Sequence, residues 1–151
     1  MKTLLPAALL VLASPILAFA GEPSELVRSF YSPVTSELDP AVRDRFAGLA
    51  LAVLEANDAM TNGSGEIGCI DFGLGIDGQD YDQDVIDRTL KLNEKISGQT
   101  ARVMAEFELF PGEGGELRKL AWSLVNAGGG WKIEDIESLT TGWKMSEFDC
   151  N

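Results

Sequence analysis

Hydrophobic positions change their spacing twice along this chain. From Leu4 to Phe19 they form an almost continuous apolar run, broken by Ser14 and two prolines, with Lys2 before it and the small-x-small triplet Ala18-Phe19-Ala20 at its end. That is the pattern of a cleaved export signal, with the cut predicted between Ala20 and Gly21. The run is short for a membrane span and no stop-transfer segment follows it, so no stable membrane anchor is expected. Residues 21–151 are then expected to form a single domain, periplasmic or secreted.

Beyond the run the spacing becomes helical. Leu26, Val27 and Phe30 share one face of a short helix starting at Pro23-Ser24 and ending where Pro33 forces Ser32 out of helical geometry. Asp39 as N-cap and Pro40 at the first helical position predict a second helix through Val42, Phe46, Leu49, Val53 and Ala56, ended by the turn-forming stretch from Asn57 to Gly65. Asp82 or Asp84 is placed to cap a further helix.

After Arg88 the period becomes two. Strands are predicted over Thr89 to Lys95, Gln99 to Phe110, Glu116 to Asn126 and Trp131 to Ile136, with Pro111 to Gly115 and Gly128-Gly129-Gly130 as turns. Alternation puts Val103, Ala105, Phe107 and Leu109 on one face, and Arg118, Leu120, Trp122 and Leu124 on one face of the next strand. Helices followed by a meander predict an α+β fold with a bent antiparallel sheet packed on N-terminal helices.

Leu26-Val27-Arg28-Ser29-Phe30-Tyr31, Ile70-Asp71-Phe72, Gln79-Asp80-Tyr81-Asp82 and Gly130-Trp131-Lys132-Ile133-Glu134-Asp135-Ile136 resemble a bacterial exported family known as domain of unknown function 3828. That family is grouped with the cone-shaped, nuclear-transport-factor-2-like α+β fold. The resemblance implies that fold over nearly the whole exported chain and implies no shared activity.

Charge narrows the function. The chain has 12 basic and 24 acidic residues, a net of −12; without residues 1–20, eleven basic against twenty-four acidic residues leave −13. Nucleic acid is excluded as a partner because phosphate binding needs clustered Lys and Arg. Between Arg45 and Arg88 there is no Lys or Arg, while Glu55, Asp58, Glu66, Asp71, Asp77, Asp80, Asp82, Asp84 and Asp87 all fall there. This stretch reads either as a solvated surface or as a docking face for a basic partner or a cation, with Asp77, Asp80, Asp82, Asp84 and Asp87 at its densest part. An immunity-type protein that neutralises a basic toxin is a narrower form of the second reading.

The chemistry available is limited. There is no histidine, so the usual neutral-pH base, zinc ligand and triad member are missing. Cys69 and Cys150 are expected to pair in an oxidising compartment, the alternative being two buried thiols. No metal or cofactor is expected: register across Asp80, Asp82 and Asp84 puts Val85 where a calcium loop needs Gly and Lys91 where it needs Glu, the alternative being a looser cation site in this loop. Gly73, Gly75 and Gly78 lack the Lys and helix of a phosphate cradle.

No catalytic residue is assigned. The pocket candidates are Asp135, expected beside Trp131 and Ile133 on the apolar face, Arg118 as its partner, and Trp122 and Trp131 as walls; a structural ion pair is the other reading. The function expected is a non-catalytic module binding a protein through its acidic surface, with a pocket-based binder or carboxylate enzyme as the alternative.

Overall fold

The structure is a computed structural model and describes residues 22–62, 67–112, 114 and 116–150. The export signal and its cut between Ala20 and Gly21 lie outside the described residues, as does Glu66. Three helices, α1 (Pro23–Arg28), α2 (Gly48–Thr61) and α3 (Gln83–Thr89), precede four strands: β1 (Lys91–Ser97), β2 (Thr100–Glu108), β3 (Leu117–Ala127) and β4 (Gly130–Ser138). Short 3₁₀ turns cover Pro40–Arg45 and Met145–Glu147. The strands form one antiparallel sheet in the order β1-β2-β3-β4, so the fold is α+β.

Local chemistry explains the meander. Gly128 and Gly129 both take positive φ (65° and 85°) between β3 and β4, the requirement of a tight hairpin whose twist matches its strands. The alternating positions of β2 bury Val103, Ala105 and Phe107 against Leu120, Trp122 and Leu124 of β3. Phe30, Tyr31 and Phe46 close over this face, with ring centroids 5.4 Å from Phe30 to Trp122 and 5.1 Å from Tyr31 to Phe107. Aromatic pairs at such spacings add to the burial term.

Two expected elements differ. The helix predicted from Pro40 to Ala56 is split: Asp39 caps the 3₁₀ turn, its side chain accepting from the Ala41 N–H at 2.9 Å. Phe46 is then extended, pairing in parallel with Ile133 while the Ala47 N–H donates to the Ile133 carbonyl at 2.8 Å. Gly48, at φ 56°, starts α2 afresh. A strand edge captured these residues because its unpaired groups need partners. Asn57, read as a helix terminator, is buried inside α2, where its Oδ1 accepts from the Ile70 N–H at 3.1 Å. The strand expected from Thr89 begins at Lys91, since α3 runs through Thr89.

Cys69 and Cys150 form the disulfide, with Cα atoms 5.3 Å apart and a separation of 81 residues. In the chain-entropy model a loop of that size stabilises by about 4.5 kcal/mol. The bond ties the C-terminal tail to the segment after α2.

Candidate functional site

The acidic stretch divides by what the fold does with each carboxylate. Asp58 pairs with Arg43 at 2.9 Å. Asp82 caps α3 by accepting from the Val85 N–H at 3.2 Å. Asp77 is buried, contrary to its expected place on the acidic surface. It accepts from Ser138 Oγ at 2.7 Å, Thr141 Oγ1 at 2.9 Å and Trp143 Nε1 at 2.6 Å. Arg118 Nε stands 3.6 Å from its Oδ2 and donates to its backbone carbonyl at 3.1 Å. Asp77 therefore joins the 73–78 loop to β3, β4 and the tail, and it is the one described non-glycine residue at positive φ (49°).

What remains on the surface is Glu55, Asp71, Asp80, Asp84 and Asp87, all exposed. None of the five is in an ion pair among the described residues. Asp87 only accepts from the Gln83 side-chain amide at 2.8 Å, which leaves its charge uncompensated. Among the described residues no group of three or more Cys, Asp or Glu is arranged to hold a metal.

The expected Asp135–Arg118 pair does not form. β3 and β4 slip register at Ser123/Leu124: Asp135 lies opposite Ser123 whereas Ile133 lies opposite Leu124, so Glu134 is an extra residue in β4. One inserted residue reverses the alternation. Ile133 and Ile136 both face the core, and Asp135 is carried to the opposite face, with Ser123. There it anchors the tail, accepting from Ser146 Oγ at 2.6 Å and the Ser146 N–H at 3.0 Å and forming an ion pair with Lys144 Nζ at 3.3 Å. Arg118 instead joins Asp77 and Glu116, the latter at 2.6 Å. Trp122 is wholly buried and donates from Nε1 to the Tyr31 hydroxyl at 3.2 Å; Trp131 packs half-buried against the core.

Sequence reasoning missed Glu37. It is 2% exposed and its Oε1 accepts from the Gly75 N–H at 2.9 Å. A Cβ at Gly75 would stand 2.3 Å from that oxygen, so the glycine is what admits the carboxyl. Burial pushes the carboxyl up to about 7, against the lowering effect of backbone hydrogen bonds from Glu37, Gly75 and Leu74. Desolvation also raises the neighbouring Tyr31 hydroxyl well above its ordinary value. Glu37 opens on a shallow cleft of about 310 Å³ with Val34, Ile76 and Tyr81, but its hydrogen bonds staple the 73–78 loop to the segment after α1. The readable signal was a glycine triplet with no phosphate-binding context.

No family model matches the chain, and no curated protein matches it. Among solved structures, a chain from the crystal structure of the type VI native effector–immunity complex Tae3–Tai3 from Ralstonia pickettii is similar to it, with a TM-score of 0.53 and 21% identity. The match covers 78% of this chain and 94% of that one. At that identity the likeness is one of fold, and it agrees with the α+β architecture.

Proposed function

We propose that this chain is an exported, non-catalytic module that binds a basic protein partner through its acidic surface. The observation that carries this reading is the set of exposed, uncompensated carboxylates at Glu55, Asp71, Asp80, Asp84 and Asp87 in a stretch free of Lys and Arg. Such a one-sign surface attracts an oppositely charged protein over a long range and speeds its association. The fold shared with a chain of an effector–immunity complex supports the narrower form, an immunity-type protein. The helices-then-meander order likewise supports the proposed kinship with domain of unknown function 3828 and its cone-shaped superfamily. The pocket alternative is weakened because Asp135 and Arg118 serve separate structural contacts.

A partner retained from the native cell envelope should lose association rate steeply as salt rises, since exposed charges are screened beyond ~8 Å at physiological ionic strength. Asp80→Lys, Asp84→Lys and Asp87→Lys together should abolish its capture. Asp82 is left intact because its loss would uncap α3, and Asp135→Asn should leave capture unchanged. Equal capture by the triple variant sinks the reading.

The paired cysteines support the exported location, because disulfides persist in oxidising compartments. Among the described residues no helix is long and apolar enough to cross a membrane. Intact mass of protein from the periplasm or medium should lack residues 1–20 and two hydrogens. A chain still starting at Met1, or carrying two thiols open to alkylation before reduction, contradicts the export reading.

A further inference from the structure

We propose that the groove between α2 and the C-terminal tail receives an apolar side chain, flanked by Lys or Arg, from the protein partner; the inference rests on the partner reading above and names where the anchor lodges.

On α2, Leu49, Val53, Ala56 and Met60 follow the spacing i, i+4, i+7, i+11 and fall on one stripe. That stripe lies beside the buried face of Ala50, Leu54 and Asn57. Leu49 is 62% exposed and Met60 40%. The disulfide brings Phe148 and Cys150 alongside, making a groove of about 180 Å³ lined by Leu49, Ala52, Val53, Ala56, Phe148 and Cys150, every one apolar. Phe148 is braced from within the fold by Trp143 and Phe72, at 5.6 and 6.2 Å between centroids. The tail that walls the groove is thus held by the disulfide, the aromatic cluster and Asp135.

Charge selects the occupant. α2 carries the exposed Glu55 and no Lys or Arg from Gly48 to Thr61, its Asp58 being neutralised by Arg43. Exposed Glu147 and Asp149 flank Phe148 in sequence, and exposed Glu134 lies against Gly48. An apolar floor with acidic flanks fits an aliphatic or aromatic anchor between cations, the arrangement of a desolvated hot spot with a charged rim. A second copy of this chain fits poorly. A two-fold contact would bring the two acidic rims together on chains of net charge −12.

The probe is acetyl-Lys-Lys-Phe-Lys-Lys-amide, titrated against the disulfide-bonded protein with backbone amides followed by NMR. Saturable shifts are expected at Leu49, Val53, Ala56 and Cys150. Affinity should fall at least about tenfold, the equivalent of ~1.4 kcal/mol, when Phe is replaced by Ser or the four Lys by Glu. Leu49→Arg with Ala52→Arg, at exposed positions, should abolish the shifts, and the uncharged Leu49→Gln should weaken them. The inference is overturned if the shifts map to residues 80–87, if the Glu-flanked peptide binds equally, if the variants bind unchanged, or if the groove instead mediates a dimer in sedimentation. Shifts at residues 80–87 would leave the acidic-surface reading standing without the groove, and the other results leave salt-dependent capture by residues 80–87 untouched, so the two readings fail separately.

Discussion

Asp77→Ala is expected to destabilise the folded protein by about 3–5 kcal/mol, a loss comparable to breaking a buried ion pair from one side. Its carboxylate accepts from Ser138, Thr141 and Trp143 and faces the Arg118 guanidinium. Truncation leaves those donors short of an acceptor, each carrying a desolvation cost of ~1–3 kcal/mol where water cannot replace it. Alanine is also disfavoured at φ 49°. Glu116 still reaches Arg118, which keeps the loss below the full sum. Asp77→Asn tolerates the left-handed backbone and retains an acceptor, so it should cost less than Asp77→Ala, and the difference reports the carboxylate's second oxygen and charge. Denaturant unfolding at neutral pH, followed by the fluorescence of Trp143 and the other tryptophans, measures both. A loss under about 1 kcal/mol for Asp77→Ala would show that the tail is held without this hub.

The second large effect depends on pH. Glu37 ionises at about 7 in the folded chain against an ordinary 4.5, so between those values the unfolded state has given up a proton that the folded state keeps. The unfolded state then binds fewer protons, and stability falls as pH rises through this window, becoming flat again above the folded value. The full difference corresponds to about 3 kcal/mol. Glu37→Gln removes the titration and keeps an oxygen for the Gly75 N–H. Its stability relative to the natural chain should therefore rise by about 3 kcal/mol between pH 4.5 and pH 8, whatever the offset at either end. The other carboxylates are common to both proteins and cancel in the comparison. A pH-independent difference would show that Glu37 is as well solvated as an exposed glutamate.

Both predictions concern carboxylates whose roles the linear pattern hid. Asp77 belongs to a run of aspartates that reads as one surface, yet it turns inward because Ser138, Thr141 and Trp143 surround its carboxylate. Glu37 stands in a polar segment with no periodicity to mark it, and its burial depends on a glycine 38 residues away. The exposed part of the candidate surface, Asp80, Asp84 and Asp87, was legible from composition because an absence of Lys and Arg needs no fold to be seen. The α2 groove is half legible: the spacing of Leu49, Val53 and Ala56 marks one apolar row of a helix, and the tail that makes it a groove arrives through a bond across 81 residues.

The sequence by itself determined the features whose causes are local. The period-two faces of β2 and β3, the glycines of the β3–β4 hairpin, the cap at Asp39 and a further cap at Asp82 or Asp84 follow from backbone geometry within a few residues, and the fold selects Asp82. The disulfide was legible because two cysteines allow one intramolecular pairing. Tertiary structure alone decided where Asp135 points, since a single extra residue in β4 reverses the alternation from Glu134 onward and hands the carboxylate to the tail. It likewise decided that the predicted second helix breaks at Phe46, where hydrogen bonding to the β4 edge outweighs helical spacing. In each of these cases the deciding contact joins different elements, across 11 residues at Asp135 and far more at Phe46, and periodicity carries no information about a partner outside its own segment.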